Sequence, residues 1–270
     1  MTSPIQKDLE FQQATLLMFD QDLQIAREVQ RASFPKQPPP IPGLRCAVFY
    51  RPAQSIGGDY DFIPFADTVW GIAIGDVSGK GIGAALVMAN LQGSLRTQTL
   101  QPRFDLEMLM SHVNRLIWRS SPQHFFISLL YAEYEPSSRL LRYVNAGHNA
   151  PIVLRRNHGQ SELLMLTPEC VPLGLLEDSP YTSKTFQLEI GDILVAYTDG
   201  ITELESSEGN QFGKEQLEKL LHRCCSQDPH EILQEILREL SVYSAGRAPR
   251  DDITLVVMQL EAPTEGDECS

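Results

Sequence analysis

From Gln6 to Ser33 the chain runs without Pro or Gly, and Leu9, Leu16 and Leu23 recur every seven residues with Phe19 and Ala26 between them. This repeat predicts a helix of several heptads. Gln12 and Gln30 fall on the same seam, so a coiled coil built on it is short and weak. The helix either pairs with a second copy or packs on its own domain. The next stretch, PKQPPPIPG at 35–43, holds five prolines and predicts an extended, semi-rigid spacer.

Beyond the spacer, short apolar runs follow in quick succession: LRCAVFY at 44–50, VWGIAIGD at 69–76, FFISLLYAEY at 125–134, RLLRYVNAG at 139–147, APIVLRR at 150–156 and ELLMLT at 162–167. TSKTFQLEI, DILVAYTDG and DITLVVMQL complete nine predicted strands, several joined by hairpin-length turns, which implies largely antiparallel sheets. Helical periodicity covers 81–99, 106–119, 214–225 and 229–243. Two pairs of helices with nine strands predict an α+β sandwich of stacked sheets flanked by helices. The expected organisation is a helix at 1–34, the spacer at 35–43, one domain at 44–260 and a polar, loose tail at 261–270.

Charge narrows the function. The chain of 270 residues carries 22 basic and 35 acidic residues, a net charge of −13, which repels phosphate backbones and anionic membranes. No nucleic-acid partner is expected. No apolar run reaches the ~20 residues of a membrane span, and MTSPIQKDLE lacks the pattern of an export signal, so the expected location is cytoplasmic. Cys46, Cys170, Cys224, Cys225 and Cys269 show no paired spacing and read as reduced thiols.

The chemistry lies in where aspartates fall. Asp76 ends the run WGIAIG, Asp199 ends ILVAYT, Asp251 opens ITLVVM, and Asp59 follows the paired glycines of SIGGDYDF. Each alone is an ordinary turn residue. Together they are four carboxylates at strand ends that can converge on one rim of a sandwich. Oxygen ligands without a His or Cys pattern favour magnesium or manganese over zinc, as in a two-metal hydrolytic site. GDVSGKGIG is no P-loop, because three residues rather than four separate Gly75 from Gly79 and Gly81 follows Lys80. It reads as a turn whose glycines let backbone approach a metal or phosphate at the start of a helix.

SIGGDYDF, IGDVSGKGIGAALVMA, YVNAGHNAP, VPLGL, GDILVAYTDGITE, NQFG and RDDITLVV stand in the order found in the bacterial SpoIIE/RsbU branch of the metal-dependent, type 2C-like (PPM) Ser/Thr protein phosphatases, which this chain resembles. IAREVQRASFP upstream is similar to that branch's helix-to-domain junction. The resemblance implies a four-layer α-β-β-α sandwich binding Mn2+ or Mg2+, two ions. Asp76 would bridge the ions with the Val77 carbonyl as a further ligand, Asp199 and Asp251 would complete one site, and Asp59 would bind through metal-held water. Asp252 matches the second acidic position of its motif. The reaction implied is hydrolysis of phosphoserine or phosphothreonine by a metal-activated water. The implied substrate is a phosphorylated regulatory protein, an anti-sigma-factor antagonist of a partner-switching pathway.

One motif departs from the family. Two residues usually separate the aspartates of G-G-D-x-Tyr-Asp, whereas only Tyr60 separates Asp59 from Asp61. Either Asp61 joins the site and partly substitutes for Asp59, or Asp59 is displaced. Lys80 is a candidate for attracting the substrate phosphate, against a solvated loop lysine. His148 reads as a structural turn residue. The helix offers a docking surface for a regulatory partner or a homodimer contact. The rivals to a phosphatase are a catalytically silent phosphatase-fold binding module, and a small-molecule phosphoesterase.

Overall fold

The computed structural model describes residues 4–33, 40–63, 69–98, 105–157, 160–224 and 228–262, with side chains at all of these but 4–9, 60–63, 98 and 160. Most of the proline-rich spacer, the tail from 263, His158, Cys225 and Cys269 lie outside the described residues. Helix α1 (Pro4–Ser33) leads into two five-stranded sheets. One is ordered β1 (Leu44–Arg51), β10 (Ile253–Leu260), β9 (Ile193–Tyr197), β6 (Ile152–Asn157), β7 (Gln160–Met165). The other is ordered β2 (Tyr60–Ile63), β3 (Trp70–Val77), β4 (Ile127–Glu135), β5 (Leu140–Ala146), β8 (Lys184–Gln187). Every pairing between these strands is antiparallel. The remaining helices are α2 (Ile82–Gln98), α3 (Leu106–Ser120), α4 (Asp199–Thr202), α5 (Lys214–Arg223) and α6 (Pro229–Tyr243).

Side-chain alternation along the strands makes three apolar interfaces, and hence four layers. Ile72, Ile74, Leu130 and Ala132 meet Leu194, Ala196, Val256 and Met258 between the sheets. Ala73, Leu129 and Tyr131 point the other way, into Met88, Leu91, Leu109 and Val113 of α2 and α3. Ile193, Val195, Leu255 and Val257 do the same against Leu217, Leu221, Ile232 and Ile236 of α5 and α6. Strands buried on both faces need no polar positions, which is why β9 reads as an unbroken apolar run. Local signals start the helices: Asp105 caps α3 by accepting the Glu107 N–H at 2.9 Å, and α6 opens on a capping box of Asp228 and Glu231 around Pro229.

The nine predicted strands each meet a described strand, and β2 is a tenth that was not foreseen. Four residues interrupted by a register shift between Asp61 and Ile63 carry too little alternation to announce themselves. The single turn α4 was missed for the same reason. Among the described side chains of α1, Leu23, Ala26, Gln30 and Ser33 alone are partly buried, a single seam at heptad spacing, so the packed-helix reading describes its last third. The same seam continues upward uncovered, with Leu16 68% and Phe19 54% exposed. Among the described residues no helix is long and apolar enough to cross a membrane.

Leu130 is fully buried between the sheets, whereas Leu86 on α2 is exposed. Leu130→Ala should lower the unfolding free energy by about 3 kcal/mol and Leu86→Ala by less than about 0.5 kcal/mol, read by urea denaturation. Comparable losses at the two positions would contradict the placement of the central core.

Candidate metal centre

The strand alternation that builds the inter-sheet core also builds the site. Asp76 lies on the same face of β3 as Ile72 and Ile74, Thr198 continues the face of Leu194 and Ala196, and Asp252 and Thr254 precede Val256 on theirs. The end of β9 pairs with the start of β10, Tyr197 opposite Leu255, and the end of β3 with the start of β4, Asp76 opposite Ser128. The apolar interior therefore gives way, at one mouth of the sandwich, to carboxylates and hydroxyls.

Asp59, only 1% exposed, sits at the centre of this mouth on the loop between β1 and β2. Its Oδ2 accepts the hydroxyls of Thr254 at 2.6 Å and Thr198 at 2.9 Å, and Thr198 Oγ1 in turn accepts the Thr254 N–H at 2.9 Å. Its Oδ1 is buried and receives no hydrogen bond from the described residues. A buried anionic oxygen without a donor is costly unless a proton or cation meets it. Burial, then repulsion from Asp76 and Asp252, holds the Asp59 carboxyl well above the usual carboxylate range, against the two threonine hydrogen bonds.

Asp76 is pushed up to about 7, first by burial and then by the charge of Asp199, with the Asp59 carboxyl acting in the opposite sense. Asp199, the first residue of α4, is pushed up to about 6 by burial, then by Asp251 and Glu203, while Lys80 opposes. These mutual shifts are the signature of negative charges gathered beyond what the chain itself neutralises. Lys80, from the turn before α2, places Nζ 2.7 Å from Asp251 Oδ2 and donates to the Arg250 carbonyl at 2.5 Å. The glycine turn brings this cation beside Asp251 while leaving its side chain exposed. Val77 is the buried last residue of β3.

Asp252 behaves differently from its neighbours. Its Oδ1 accepts the Ala53 N–H at 2.7 Å and its Oδ2 the Gly58 N–H at 2.6 Å, so it fastens the loop that carries Asp59. Close packing demands the adjacent glycines: a Cβ on Gly57 would lie 2.1 Å from Asp252 Oδ2, and one on Gly200 2.0 Å from the Asp252 carbonyl oxygen. The same loop is held from outside by Gln30 of α1, which donates to the Gly57 carbonyl at 2.6 Å and accepts its N–H at 3.2 Å. The Asp61 backbone belongs to β2 opposite Ile74, and its side chain lies outside the described part of the structure. His148 is fully buried with Nδ1 2.9 Å from Ser128 Oγ, and burial lowers its imidazole to about 4, which keeps it neutral. Ser128, its partner, stands opposite Asp76 in the β3–β4 pairing, and His148 Nε2 is buried without a hydrogen-bond partner among the described residues.

Thr198, Thr254 and Gln30 were not among the expected site residues. The threonines stand beside Asp199 and Asp252 at alternating positions of predicted strands, so the alternation itself was the signal. Gln30 gave no signal beyond its misfit in an apolar seam. An oxygen-only donor set, mutual repulsion and the unmatched Asp59 Oδ1 all fit hard divalent cations. Among the described residues, no group of three or more His, Cys, Asp or Glu side chains is placed closely enough to hold a metal ion by itself.

Raised carboxylates mean that the folded chain keeps protons which the unfolded chain releases. From about pH 4 to about pH 7 their contribution to stability therefore falls as pH rises. Melting of chelator-treated protein across that interval should show a shallower fall for Asp76→Asn than for the wild type, and manganese should raise the melting temperature most at the upper end. Identical pH slopes for the two proteins would contradict the shift at Asp76.

A family model described as Stage II sporulation protein E (SpoIIE) matches residues 66–261. Protein IcfG of Synechocystis is 26% identical over 264 residues, covering 88% of this chain, which spans only 41% of that relative's length. Phosphoserine phosphatase RsbU of Bacillus subtilis is 28% identical over 245 residues, 88% of this chain and 70% of that one. Among solved structures, the SiaA-PP2C domain of Pseudomonas aeruginosa superposes with a TM-score of 0.77 at 19% identity, covering 92% of this chain and 99% of that one. The RsbU and RsbW domains of Rv1364c from Mycobacterium tuberculosis give a TM-score of 0.69 at 26% identity, covering 84% of this chain and 62% of that one. With the family model covering most of its length, the chain belongs to the SpoIIE family, on the PP2C-type fold that its ordered motifs implied.

Proposed function

We propose that this chain is a divalent-cation-dependent protein phosphatase that hydrolyses phosphoserine or phosphothreonine on a regulatory protein, an anti-sigma-factor antagonist of a partner-switching pathway in the cytoplasm. The observation that carries the reading is the gathering of Asp59, Asp76, Asp199 and Asp251 at one mouth of the sandwich, with charge beyond what the chain neutralises. The names of RsbU and RsbP, both phosphoserine phosphatases, and of RsbX, solved in complex with magnesium, point the same way.

Asp76, Asp199, Asp251 and the Val77 carbonyl would hold two Mn2+ or Mg2+ ions, with Asp59 acting on them through water. When bound, such ions clamp phosphate oxygens and acidify water, so that attack on phosphorus occurs at neutral pH. The threonine pair fixes Asp59 Oδ2 and leaves Oδ1 to orient and accept a proton from water. Lys80 adds positive charge where the phosphate arrives. The water oxygen bonds to phosphorus as the bond to the serine or threonine oxygen breaks, and a proton passes to that leaving oxygen.

A phosphatase-fold binding module without turnover draws on the shortened G-G-D-Y-D motif and on carboxylates not placed closely enough to hold a metal ion by themselves. Turnover decides between the two. Hydrolysis of an aryl phosphate with manganese should stop on chelation and fall on the order of 10²-fold or more in Asp76→Asn and Asp199→Asn. Activity indifferent to chelator or to both substitutions would overturn the phosphatase reading.

The division into a helix at 1–34, a spacer at 35–43, a phosphatase domain at 44–260 and a tail belongs to the same proposal, with α1 as a dimerising or partner-docking element. Phe11, Leu16, Leu17, Met18 and Phe19 are all more than half exposed on it, a stretch that favours a covering partner. Sedimentation should show self-association lost when residues 1–22 are removed. A full chain that stays monomeric at high concentration would leave partner docking as the helix's role and contradict the homodimer.

A further inference from the structure

Beside the carboxylate centre lies a cleft of about 260 Å³, walled by Gly200 of α4, by Glu203, Glu205 and Gln211 after it, and by Arg247 and Arg250 after α6. Lys80 and Asp251 line it too, so it opens directly onto the proposed reaction site. It is smaller than the roughly 300–1,000 Å³ sites that engulf small molecules. Its charges are mostly matched. Lys80 pairs with Asp251 at 2.7 Å and Arg250 with Glu205 at 2.5 Å, while the charge of Glu203 bears on Asp199. Arg247 and Glu203 are the two charges of the lining with no ion pair or side-chain hydrogen bond among the described residues, and Arg247 is the cation of the two.

The backbone presents that side chain from a fixed turn. At the end of α6, Ala245 N–H bonds to the Val242 carbonyl, Gly246 N–H to that of Ser241, and Arg247 N–H to that of Ser244, each at 3.1 Å. Ala245 and Gly246 both adopt left-handed φ, 51° and 74°. For alanine this conformation is unfavourable and persists only where its surroundings impose it. The turn fixes the backbone from which the exposed Arg247 side chain extends, and the planar fork of a guanidinium matches a carboxylate. In a chain of net charge −13, which repels acidic partners at long range, a local unmatched cation beside the site selects for an acidic group at one place.

We propose that Arg247 determines substrate specificity, receiving an acidic side chain that flanks the phosphorylated residue as the substrate chain lies in this cleft. The inference rests on the phosphatase reading and adds the sequence character of the substrate to it. The test uses phosphoserine peptides in which a single glutamate is moved along the flanks, with lysine and alanine counterparts, and an aryl phosphate that has no flanks. With manganese at low ionic strength, the wild type should favour glutamate at one flanking position by about fivefold in kcat/KM. Arg247→Ala should abolish that preference and Arg247→Glu should turn it toward lysine, with aryl phosphate hydrolysed equally by all three. A wild type indifferent to flanking charge, or a preference that survives in Arg247→Ala, would overturn the proposal. So would a parallel loss of aryl phosphate hydrolysis in both variants, which would make Arg247 a contact of the phosphate itself. A wild type without aryl phosphate turnover overturns the phosphatase reading, and this inference with it.

Discussion

Mutual repulsion among half-dry carboxylates is the constraint around which the rest of the molecule is arranged. Left to itself, a group such as Asp76 or Asp59 would separate from its neighbours or keep a proton, and both carboxyls are indeed pushed far above their ordinary range. The fold prevents the separation. Two sheets packed face to face cannot splay without opening the central core of Ile72, Ile74, Leu194 and Val256, and that core ends where the carboxylates begin. The hydroxyls of Thr198 and Thr254 tie Asp59 to the sheet of β9 and β10, while Asp252 clamps the loop behind it. Apolar burial thus holds an arrangement that electrostatics alone would disperse, and the remaining repulsion is what makes the mouth attractive to cations.

Much of this was legible in the chain. Strands buried on both faces announce themselves as continuous apolar runs, so β3, β4, β9 and β10 and the aspartates at their ends stood out without any knowledge of pairing. What stayed hidden depends on contacts distant in sequence. Asp252 read as a further acidic site residue, and only the approach of Ala53 and Gly58, almost 200 positions away, shows its carboxylate committed to backbone. Lys80 read equally well as a solvated loop residue, and only the turn reveals its pairing with Asp251. Gln30 counted against a coiled coil, yet its amide is matched to the Gly57 backbone two residues before Asp59.

That last contact gives α1 a physical link to the carboxylate centre. Among its described side chains the helix is partly buried through its final third, where Gln30 meets the loop that carries Asp59. The cleft lined by Arg247 adjoins the same carboxylates through Lys80 and Asp251.

The central claim is that the mouth holds protons which divalent cations replace. Calorimetric titration of manganese into the metal-free protein near pH 7, repeated in buffers of different ionisation enthalpy, measures that exchange directly. Binding accompanied by proton release, diminished in Asp76→Asn, is the predicted result. Manganese that binds without releasing protons, or does not bind at all, would contradict it.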